Sequence, residues 1–164
     1  MVNLDFIKNG PLLFIGCHPD DIEYGCGGII SKLKHKVPIY VLTLSKNQKN
    51  KKNKNLIKES LQSLKSLGIK NKEIIFGDFI TREFSYQRQE ICDFLWKIKK
   101  KINPTCVFIP PYDLHQDHQV GHDESLRVFR NKTIIAYDIP RSEKSPKPVI
   151  FVELSKKNLD EKLN

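Results

Sequence analysis

The sequence lacks a long apolar run. Its best apolar stretch, residues 11–17, is far shorter than the roughly 20 residues that a transmembrane helix needs, and no basic segment followed by a long apolar stretch opens the chain. It also lacks any C-x-x-C pair. Scattered cysteines within apolar segments are typical of buried thiols in a reducing compartment. These absences predict a cytoplasmic protein without disulfide bonds or a transmembrane segment. The cysteines are Cys17, Cys26, Cys92 and Cys106.

Acidic residues are absent between Glu23 and Glu59, although the whole chain contains 19 of them against 28 lysines and arginines. The net charge of +9 is therefore concentrated in a basic loop at residues 46–58. Such a loop can attract phosphate-rich partners such as nucleic acid. Its lysines alternate with asparagines and no aromatic residue interleaves them, so a solvated loop is the simpler interpretation. We do not expect nucleic acid as the partner.

The pattern of apolar residues predicts the fold class. A chain of 164 residues is long enough for one domain with a real core, and we expect a single domain over residues 1–164. Short apolar runs alternate with amphipathic segments, which predicts an α/β fold with a mainly parallel sheet and helices on both faces. The pattern is still periodic at Asn164, so we expect the C-terminal region to be short or incomplete. Strands are predicted at 12–15, 39–44, 73–76, 105–109, 133–136 and 149–153, and helices at 25–35, 56–67, 85–101, 120–129 and after Ser155.

Polar side chains follow two of these predicted strands. His18, Asp20 and Asp21 come directly after the first strand, and a second cluster at residues 115–118 follows the fourth. Chemistry in α/β proteins is concentrated at such strand ends. Two imidazoles and one carboxylate suit a late first-row cation and leave coordination positions open for water, as catalytic sites require. His18, Asp21 and His118 fit that count, with Asp20 facing the open position.

The choice of imidazole in the second cluster stays open on spacing alone. His118 and His122 are four residues apart, as in a helical zinc pair. No glutamate follows His118, however, and Gly121 argues against a continuous helix there. His35 lies among lysines at the end of a predicted helix, and we expect it to face solvent.

Three segments together carry a resemblance to a known family. His18-Pro19-Asp20-Asp21, followed by Gly25 to Gly28 and later by His115-Gln116-Asp117-His118, resembles the N-acetylglucosaminyl-phosphatidylinositol de-N-acetylase-like (LmbE-like) superfamily. The resemblance covers nearly the whole chain. It implies a Rossmann-like fold, a zinc-dependent deacetylase acting on N-acetylated amino sugars or their conjugates, and assembly into a homo-oligomer.

The resemblance also implies a role for each motif residue. His18, Asp21 and His118 would bind the metal, and Asp20 would act as general base toward a water molecule whose pKa the zinc lowers to about 7. Protonated His115 would stabilise the oxyanion. Asp117 would hydrogen-bond to His115 and orient it. The products would be acetate and a free amino sugar.

The chain departs from the family pattern in three places. Ile22 stands where the first motif usually continues with glutamate, and Glu23 follows it. Residues 46–58 contain only lysines where the family commonly has an arginine before the second helix. We expect most of the C-terminal region that often shapes the substrate pocket in the family to be missing after Asn164.

Two other functions agree with parts of the sequence. His18, Asp20 and His118 also match the facial triad of a non-haem Fe²⁺ oxygenase, which makes Fe²⁺ the alternative cation. Those oxygenases generally use an all-β jelly roll, whereas this sequence alternates strands with helices. The basic loop could instead bind a glycan or nucleic acid without catalysis, although it lacks stacking aromatics.

Overall fold

Parallel strands form a five-stranded sheet at the centre of the part that this computed structural model describes, which is residue 7 and residues 9–49, 55–139 and 148–163. Helices cover both faces of this sheet, so the predicted α/β class is confirmed. The strands are β1 (Leu12–Gly16), β2 (Ile39–Thr43), β3 (Ile74–Phe76), β4 (Cys106–Ile109) and β5 (Thr133–Ala136), and the helices are α1 (Asp21–Leu33), α2 (Leu56–Ser66), α3 (Arg88–Ile102), α4 (Gln116–Phe129) and α5 (Lys156–Leu163).

The two faces of the sheet carry separate hydrophobic cores, because successive residues of a strand point to opposite faces. In β1, Leu12 and Phe14 pack with residues of α1 and α2, whereas Leu13 and Ile15 pack with residues of α3 and α4. All four side chains are fully buried. Burial of one such side chain contributes about 1.5–3 kcal/mol. A strand that is apolar at every position is therefore stable only between two layers of helices.

The strand order β3-β2-β1-β4-β5 places β1 in the middle of the sheet. Phe14 of β1 is paired with Val41 of β2 on one side and with Phe108 of β4 on the other. The order in which strands are added reverses between β1 and β4. In open α/β sheets, ligands bind in the crevice at the carboxyl ends of the strands where this reversal occurs. The segments after β1 and β4 are those that carry the two polar clusters.

Two helices begin earlier than the sequence predicted. α1 begins at Asp21 rather than at residue 25, and α4 begins at Gln116 rather than at residue 120. The polar clusters therefore extend into the first helical turns. The free N–H groups and the partial positive charge of a helix N-terminus stabilise carboxylates such as Asp21 and Asp117 there. Gly121, which we expected to interrupt the helix, is a buried residue inside α4.

The boundaries of α2 and α3 agree closely with the prediction. α2 ends at Ser66, just before Gly68, whose φ of +89° is easily adopted only by glycine. α3 begins at Arg88, after a short 3₁₀ turn over Phe84–Tyr86.

The strand predicted at residues 149–153 is wrong. Residues 148–155 form no strand, and the side chains of Val149 and Phe151 are 89% and 75% exposed. The helix predicted after Ser155 is confirmed as α5, and the Oγ of Ser155 accepts a hydrogen bond from the backbone N–H of Asn158. α5 packs against α1, where Glu161 accepts hydrogen bonds from Ser31 and Lys34.

The cysteines are free and buried, as predicted. No helix within the described ranges is long and apolar enough to cross a membrane. The parallel sheet also differs from the all-β jelly roll that the oxygenase alternative generally uses.

Both ends of the basic loop lie within the described residues, whereas its centre, residues 50–54, lies outside them. Lys46 is 3.2 Å from Asp78 and Lys49 forms an ion pair with Glu83. These pairs are exposed, and exposed ion pairs contribute only about 0–1 kcal/mol. The two lysines therefore have acidic partners on the surface of this chain.

Candidate metal centre

The segments that follow β1 and β4 meet at the carboxyl edge of the sheet. The ring centroids of His18 and His118 are 5.3 Å apart, and His115 lies 4.7 Å from each of them. Because β1 and β4 are paired directly, their ends are neighbours despite the long stretch of chain between them. The structure therefore brings the two predicted clusters together.

Asp21 lies between the two segments. One carboxylate oxygen, Oδ2, accepts hydrogen bonds from the backbone N–H groups of Cys17 (2.8 Å) and His18 (2.9 Å). The same oxygen is 3.7 Å from Nδ1 of His18 and 3.4 Å from Nε2 of His118. Burial alone would raise the pKa of Asp21, but the hydrogen bond from His118 and the charges of His18 and His118 lower it. Asp21 is therefore an ionised carboxylate held in place by the backbone.

His118 is held by a second carboxylate. Its Nδ1 is 2.7 Å from Oδ2 of Asp113, so the neutral ring carries its proton on Nδ1. Its Nε2 is buried and faces Oδ2 of Asp21 at 3.4 Å. Burial alone would lower the pKa of His118, but Asp21 and Asp113 raise it to about 9. The nitrogen that faces Asp21 thus holds a proton at neutral pH when no cation is bound.

His18 has the same arrangement with its nitrogens exchanged. Its Nε2 is 2.9 Å from Oδ2 of Asp117, so Nε2 carries the proton and Nδ1 faces Asp21. Metal-binding histidines almost always donate their outer N–H to a carboxylate or carbonyl, because this fixes the tautomer and the ring orientation. Both His18 and His118 meet this condition.

The distances around Asp21 fit a metal ion. In a tetrahedral shell with bonds of about 2.1 Å, neighbouring ligand atoms lie about 3.4 Å apart. The separations of 3.4 and 3.7 Å from Asp21 to the two imidazoles agree with this value. Asp21 is therefore at ligand separation from each imidazole, and ring nitrogens of His18, His115 and His118 lie within 4.8 Å of one another, so these side chains could share a cation.

His115 lies beside this set, half-buried at the N-cap of α4. Its Nδ1 accepts a hydrogen bond of 3.2 Å from the backbone N–H of Asp117, so a neutral ring carries its proton on Nε2. Burial and the charges of His18 and His118 lower the pKa of His115. A neutral imidazole with Nε2–H as donor is therefore favoured over the protonated ring that we expected from the sequence.

Asp117 contacts a different imidazole from the one we expected. Its Oδ2 accepts hydrogen bonds from His18 and from the backbone N–H of Arg82 (2.7 Å), whereas the contact with His115 is made by the backbone of Asp117. The carboxylate therefore orients His18. Burial alone would raise the pKa of Asp117, but its hydrogen bonds with His18 and Arg82 lower it, so that it is ionised.

Asp20 is exposed at the N-cap of α1, next to Asp21. Its φ of 114° lies in the left-handed region that residues other than glycine seldom adopt. Non-glycine residues in this region cost of order 1–3 kcal/mol and are concentrated at active sites. The turn thus holds Asp21 inside the protein while it keeps the preceding carboxylate at the surface.

Residues 13–129 match the family described as GlcNAc-PI de-N-acetylase. This range covers most of the chain and contains both polar clusters. The chain belongs to this family. The family assignment made from the motifs is thereby confirmed.

A curated relative supports the assignment to the deacetylases, and a solved structure supports the fold. The uncharacterized deacetylase YaiS of Escherichia coli (strain K12) is 30% identical over 166 residues, which cover 95% of this chain and 88% of the relative. The structure of N,N'-diacetylchitobiose deacetylase from Pyrococcus horikoshii superposes with a TM-score of 0.79 at 23% identity, over 98% of this chain and 70% of that one. The enzyme class predicted for this chain is confirmed by the family match and by YaiS.

A second solved structure has the same fold. It is the zinc-inhibited form of the teicoplanin deacetylase Orf2, with a TM-score of 0.76 at 13% identity, covering 93% of this chain and 81% of that one. At this identity the likeness concerns the fold alone.

Sequence reasoning missed Asp113, the carboxylate that orients His118 in this de-N-acetylase family member. Asp113 is buried and also accepts a hydrogen bond of 2.7 Å from the backbone N–H of His115. It stands outside both motifs, in the loop after two prolines that end β4. A carboxylate five residues before a candidate metal-binding histidine was the available signal.

Three other residues that the sequence analysis considered lie apart from the cluster of His18, Asp21, His115 and His118. Glu23 accepts a hydrogen bond from Ser60 of α2. His122 is on α4 one turn after His118, but its Nδ1 is 2.8 Å from the carbonyl oxygen of Pro110. His35 is exposed, as predicted.

Proposed function

We propose that this protein is a metal-dependent hydrolase that removes the acetyl group from an N-acetylated amino sugar or its conjugate. The observation that carries the proposal is the pair of imidazoles of His18 and His118, each with its outer nitrogen on a carboxylate and its inner nitrogen facing Asp21. The substrate class is supported by the names of the family and of its relative, which contain GlcNAc-PI and diacetylchitobiose.

His18 (Nδ1), Asp21 (Oδ2) and His118 (Nε2) would hold the cation, which we propose to be Zn²⁺, with Fe²⁺ as the alternative. Zinc in such a site supplies a Lewis acid for the acetamide carbonyl and lowers the pKa of water toward about 7. Two neutral imidazoles and one carboxylate leave a net charge of +1 on the loaded site. The carboxylates of Asp113 and Asp117 lie on the far side of each ring and supply negative charge that offsets it.

Asp20 is the proposed general base. It is exposed and adjacent to Asp21, and its carboxylate would face a water molecule on the open side of the ligand set. Asp20 would accept a proton as this water attacks the acetamide carbon. General base catalysis of this kind typically contributes 10²–10⁴-fold in rate.

His115 is the proposed donor to the oxyanion. As a neutral ring with its proton on Nε2, it can donate a hydrogen bond to the tetrahedral intermediate but cannot transfer a proton without becoming an anion. Asp20 would therefore return the proton it has taken to the departing nitrogen. The products are acetate and a free amino sugar.

Two substitutions test this division of roles. Asp20→Asn removes the proton acceptor and should keep stoichiometric metal while acetate release falls by about 10²–10⁴-fold. His118→Ala removes a ligand and should lose the metal. Metal content is measured by elemental analysis, and acetate release on a panel containing N-acetylglucosamine, its glycosides, N,N'-diacetylchitobiose and GlcNAc-phosphatidylinositol.

Matched controls come from exposed residues of the same types. Asp93→Asn on α3 and His35→Ala should change neither metal content nor acetate release. Equal loss of metal in Asp20→Asn and His118→Ala would refute the separation between base and ligand. Full metal loading with no acetate release from any member of the panel would refute the proposed substrate class.

A further inference from the structure

Arg82 lies beside the candidate metal centre, in the loop between β3 and α3. Its backbone N–H donates to Oδ2 of Asp117 at 2.7 Å, and the same oxygen is 2.9 Å from Nε2 of His18. Arg82 and His18 therefore share one carboxylate oxygen. Because Nδ1 of His18 faces Asp21, the backbone of Arg82 is on the opposite side of the ring from the proposed cation. Arg82 adjoins the site without belonging to the ligand set.

The backbone of Arg82 is fixed in a conformation that arginine seldom adopts. The carbonyl oxygen of Ile80 accepts a hydrogen bond from the N–H of Glu83, so Arg82 is the third residue of a β-turn. Its φ of 70° favours glycine or asparagine at this position. The carbonyl oxygen of Arg82 accepts a hydrogen bond of 3.0 Å from Nε2 of Gln116. Backbone strain of this kind persists only where contacts hold it, and it is concentrated at active sites and ligand clamps.

The charge of Arg82 is not balanced by its neighbours. Arg82 is exposed, and its guanidinium forms no ion pair or hydrogen bond with any residue that the structure describes. The acids of the same loop have other partners, since Asp78 is paired with Lys46 and Glu83 with Lys49. An exposed arginine is ordinary on a protein surface. Arg82 differs because a strained turn holds it next to the candidate metal centre.

A guanidinium at this position can bind an anionic group of the substrate. Arginine presents a planar fork of N–H donors that binds phosphate or carboxylate through two hydrogen bonds, and it stays charged at physiological pH. The acetamide would lie at the cation, on the Nδ1 side of His18, whereas Arg82 lies on the Nε2 side. The group that meets Arg82 would therefore be a substituent elsewhere on the sugar and not the acetyl group.

We propose that Arg82 is a substrate-binding residue that selects N-acetylated amino sugars carrying an anionic group, a phosphate or a carboxylate. The proposal rests on the proposed function, because it names the substrate class of the same site. An anion held in this way is bound equally in the ground state and in the transition state. Such binding lowers KM and leaves kcat unchanged. A role limited to holding Asp117 would instead change kcat for every substrate, because Asp117 orients His18.

Arg82→Gly removes the side chain and keeps the turn. Glycine adopts a φ of 70° readily and retains the N–H that donates to Asp117, so this variant should melt at a temperature no lower than wild type. Arg82→Lys keeps the charge but lacks the planar fork. Arg130→Gly is the matched control, because Arg130 is an exposed arginine at the C-terminal end of α4, whereas the site lies at the N-terminal end of that helix.

The test compares kcat and KM for sugars of similar size. N-acetylglucosamine is the neutral reference, its 1-phosphate and 6-phosphate carry a phosphate, and N-acetylmuramic acid carries a carboxylate. Wild type should favour at least one anionic sugar in kcat/KM by about 10–100-fold, as expected for hydrogen bonds to a charged group. This preference should disappear in Arg82→Gly through a rise in KM, fall partly in Arg82→Lys and remain in Arg130→Gly. Calorimetry of the metal-free protein with each sugar measures binding without turnover.

The outcomes separate this proposal from the proposed function. Equal kcat/KM for neutral and anionic sugars in wild type, or a preference that survives in Arg82→Gly, overturns the role of Arg82 and leaves the hydrolase intact. A fall in kcat shared by every sugar in Arg82→Gly does the same. Binding of an anionic sugar that depends on Arg82, without acetate release from any substrate, overturns the proposed function alone. Failure of wild type both to bind these sugars and to release acetate overturns both.

Discussion

The carboxylate of Asp113 lies 2.7 Å from Nδ1 of His118, and its side chain is completely buried. At the proposed metal site, the acid would act on the cation through the imidazole that it orients. Because removal of such a partner typically costs 10–100-fold in metal affinity, we expect Asp113→Ala to weaken zinc binding by about that factor. Competition with a chromophoric chelator measures the affinity.

Asp113→Asn separates charge from orientation. The amide oxygen can still accept the hydrogen bond from Nδ1, so this variant should lose less affinity than Asp113→Ala. Asp93→Ala, an exposed acid on α3, is the control. Unchanged affinity in Asp113→Ala would mean that the surrounding packing alone sets the ring of His118.

A second prediction concerns the choice between His118 and His122. Nδ1 of His122 is engaged by the carbonyl oxygen of Pro110, and the ring packs edge-on against Tyr112. We expect His122→Ala to keep stoichiometric zinc, measured by elemental analysis, whereas His118→Ala loses it. The reverse result would make His122 the ligand and would refute the ligand set that contains Nε2 of His118.

The affinity for zinc should depend on pH through His118. The pKa of His118 is raised to about 9 in the metal-free protein, so the proton on Nε2 must leave before a cation binds. Apparent affinity should therefore rise by about tenfold per pH unit from about pH 6.5 and level off above about pH 9.

As the pH rises, the free energy of unfolding of the metal-free protein should fall, whereas the affinity for zinc rises. A raised folded-state pKa means that His118 contributes stability that is fully present below its unfolded pKa of about 6.5. This contribution is lost as the pH rises through about 9. Thermal unfolding of the metal-free protein between pH 6 and 9 measures it. A pH-independent zinc affinity would contradict both expectations.

The close contact between Gly121 and Cys17 predicts a double-mutant result. Alanine normally stabilises a helix interior by about 1 kcal/mol relative to glycine, but a Cβ at residue 121 would lie 2.5 Å from Sγ. Overpacking of this kind costs about 1–3 kcal/mol, so Gly121→Ala should lower the free energy of unfolding. Urea denaturation measures the change.

Removal of the sulfur atom should relieve this clash. In the double variant Cys17→Ala/Gly121→Ala, the second substitution should be neutral or stabilising. Additive effects of the two substitutions would show that the cost comes from other contacts of the helix, such as that with Pro110.

Most of the fold was predictable because its signals are local. β1 is apolar at nearly every position, which is typical of a strand covered on both faces, and the apolar stripes of α2 and α3 gave their boundaries closely. The strand predicted at residues 149–153 is absent, because strand formation there depends on long-range pairing rather than on a local signal. A short apolar run does not specify a pairing partner, and two of its large side chains, Val149 and Phe151, are exposed.

The residues of the candidate site could be predicted from the sequence, but the contacts between them could not. The motifs identified the candidate ligands, because carboxylates and imidazoles grouped after buried strands are seldom accidental. Spacing could not show that Asp117 reaches His18 or that Asp113 reaches His118, since both contacts depend on how the β1 and β4 ends face each other. Spacing also could not show that α1 begins as early as Asp21 and α4 as early as Gln116.

The pairing of Leu13 with Val107, in the middle of the sheet, sets the distance between two ligands that lie beyond the strand ends. A slip of one residue between β1 and β4 would carry His18 about 3.3 Å along the strand axis relative to His118. Coordination bonds tolerate only about 0.2 Å. At the proposed metal site, a misregistered chain would be unable to hold zinc, so that metal uptake would report on the register between β1 and β4.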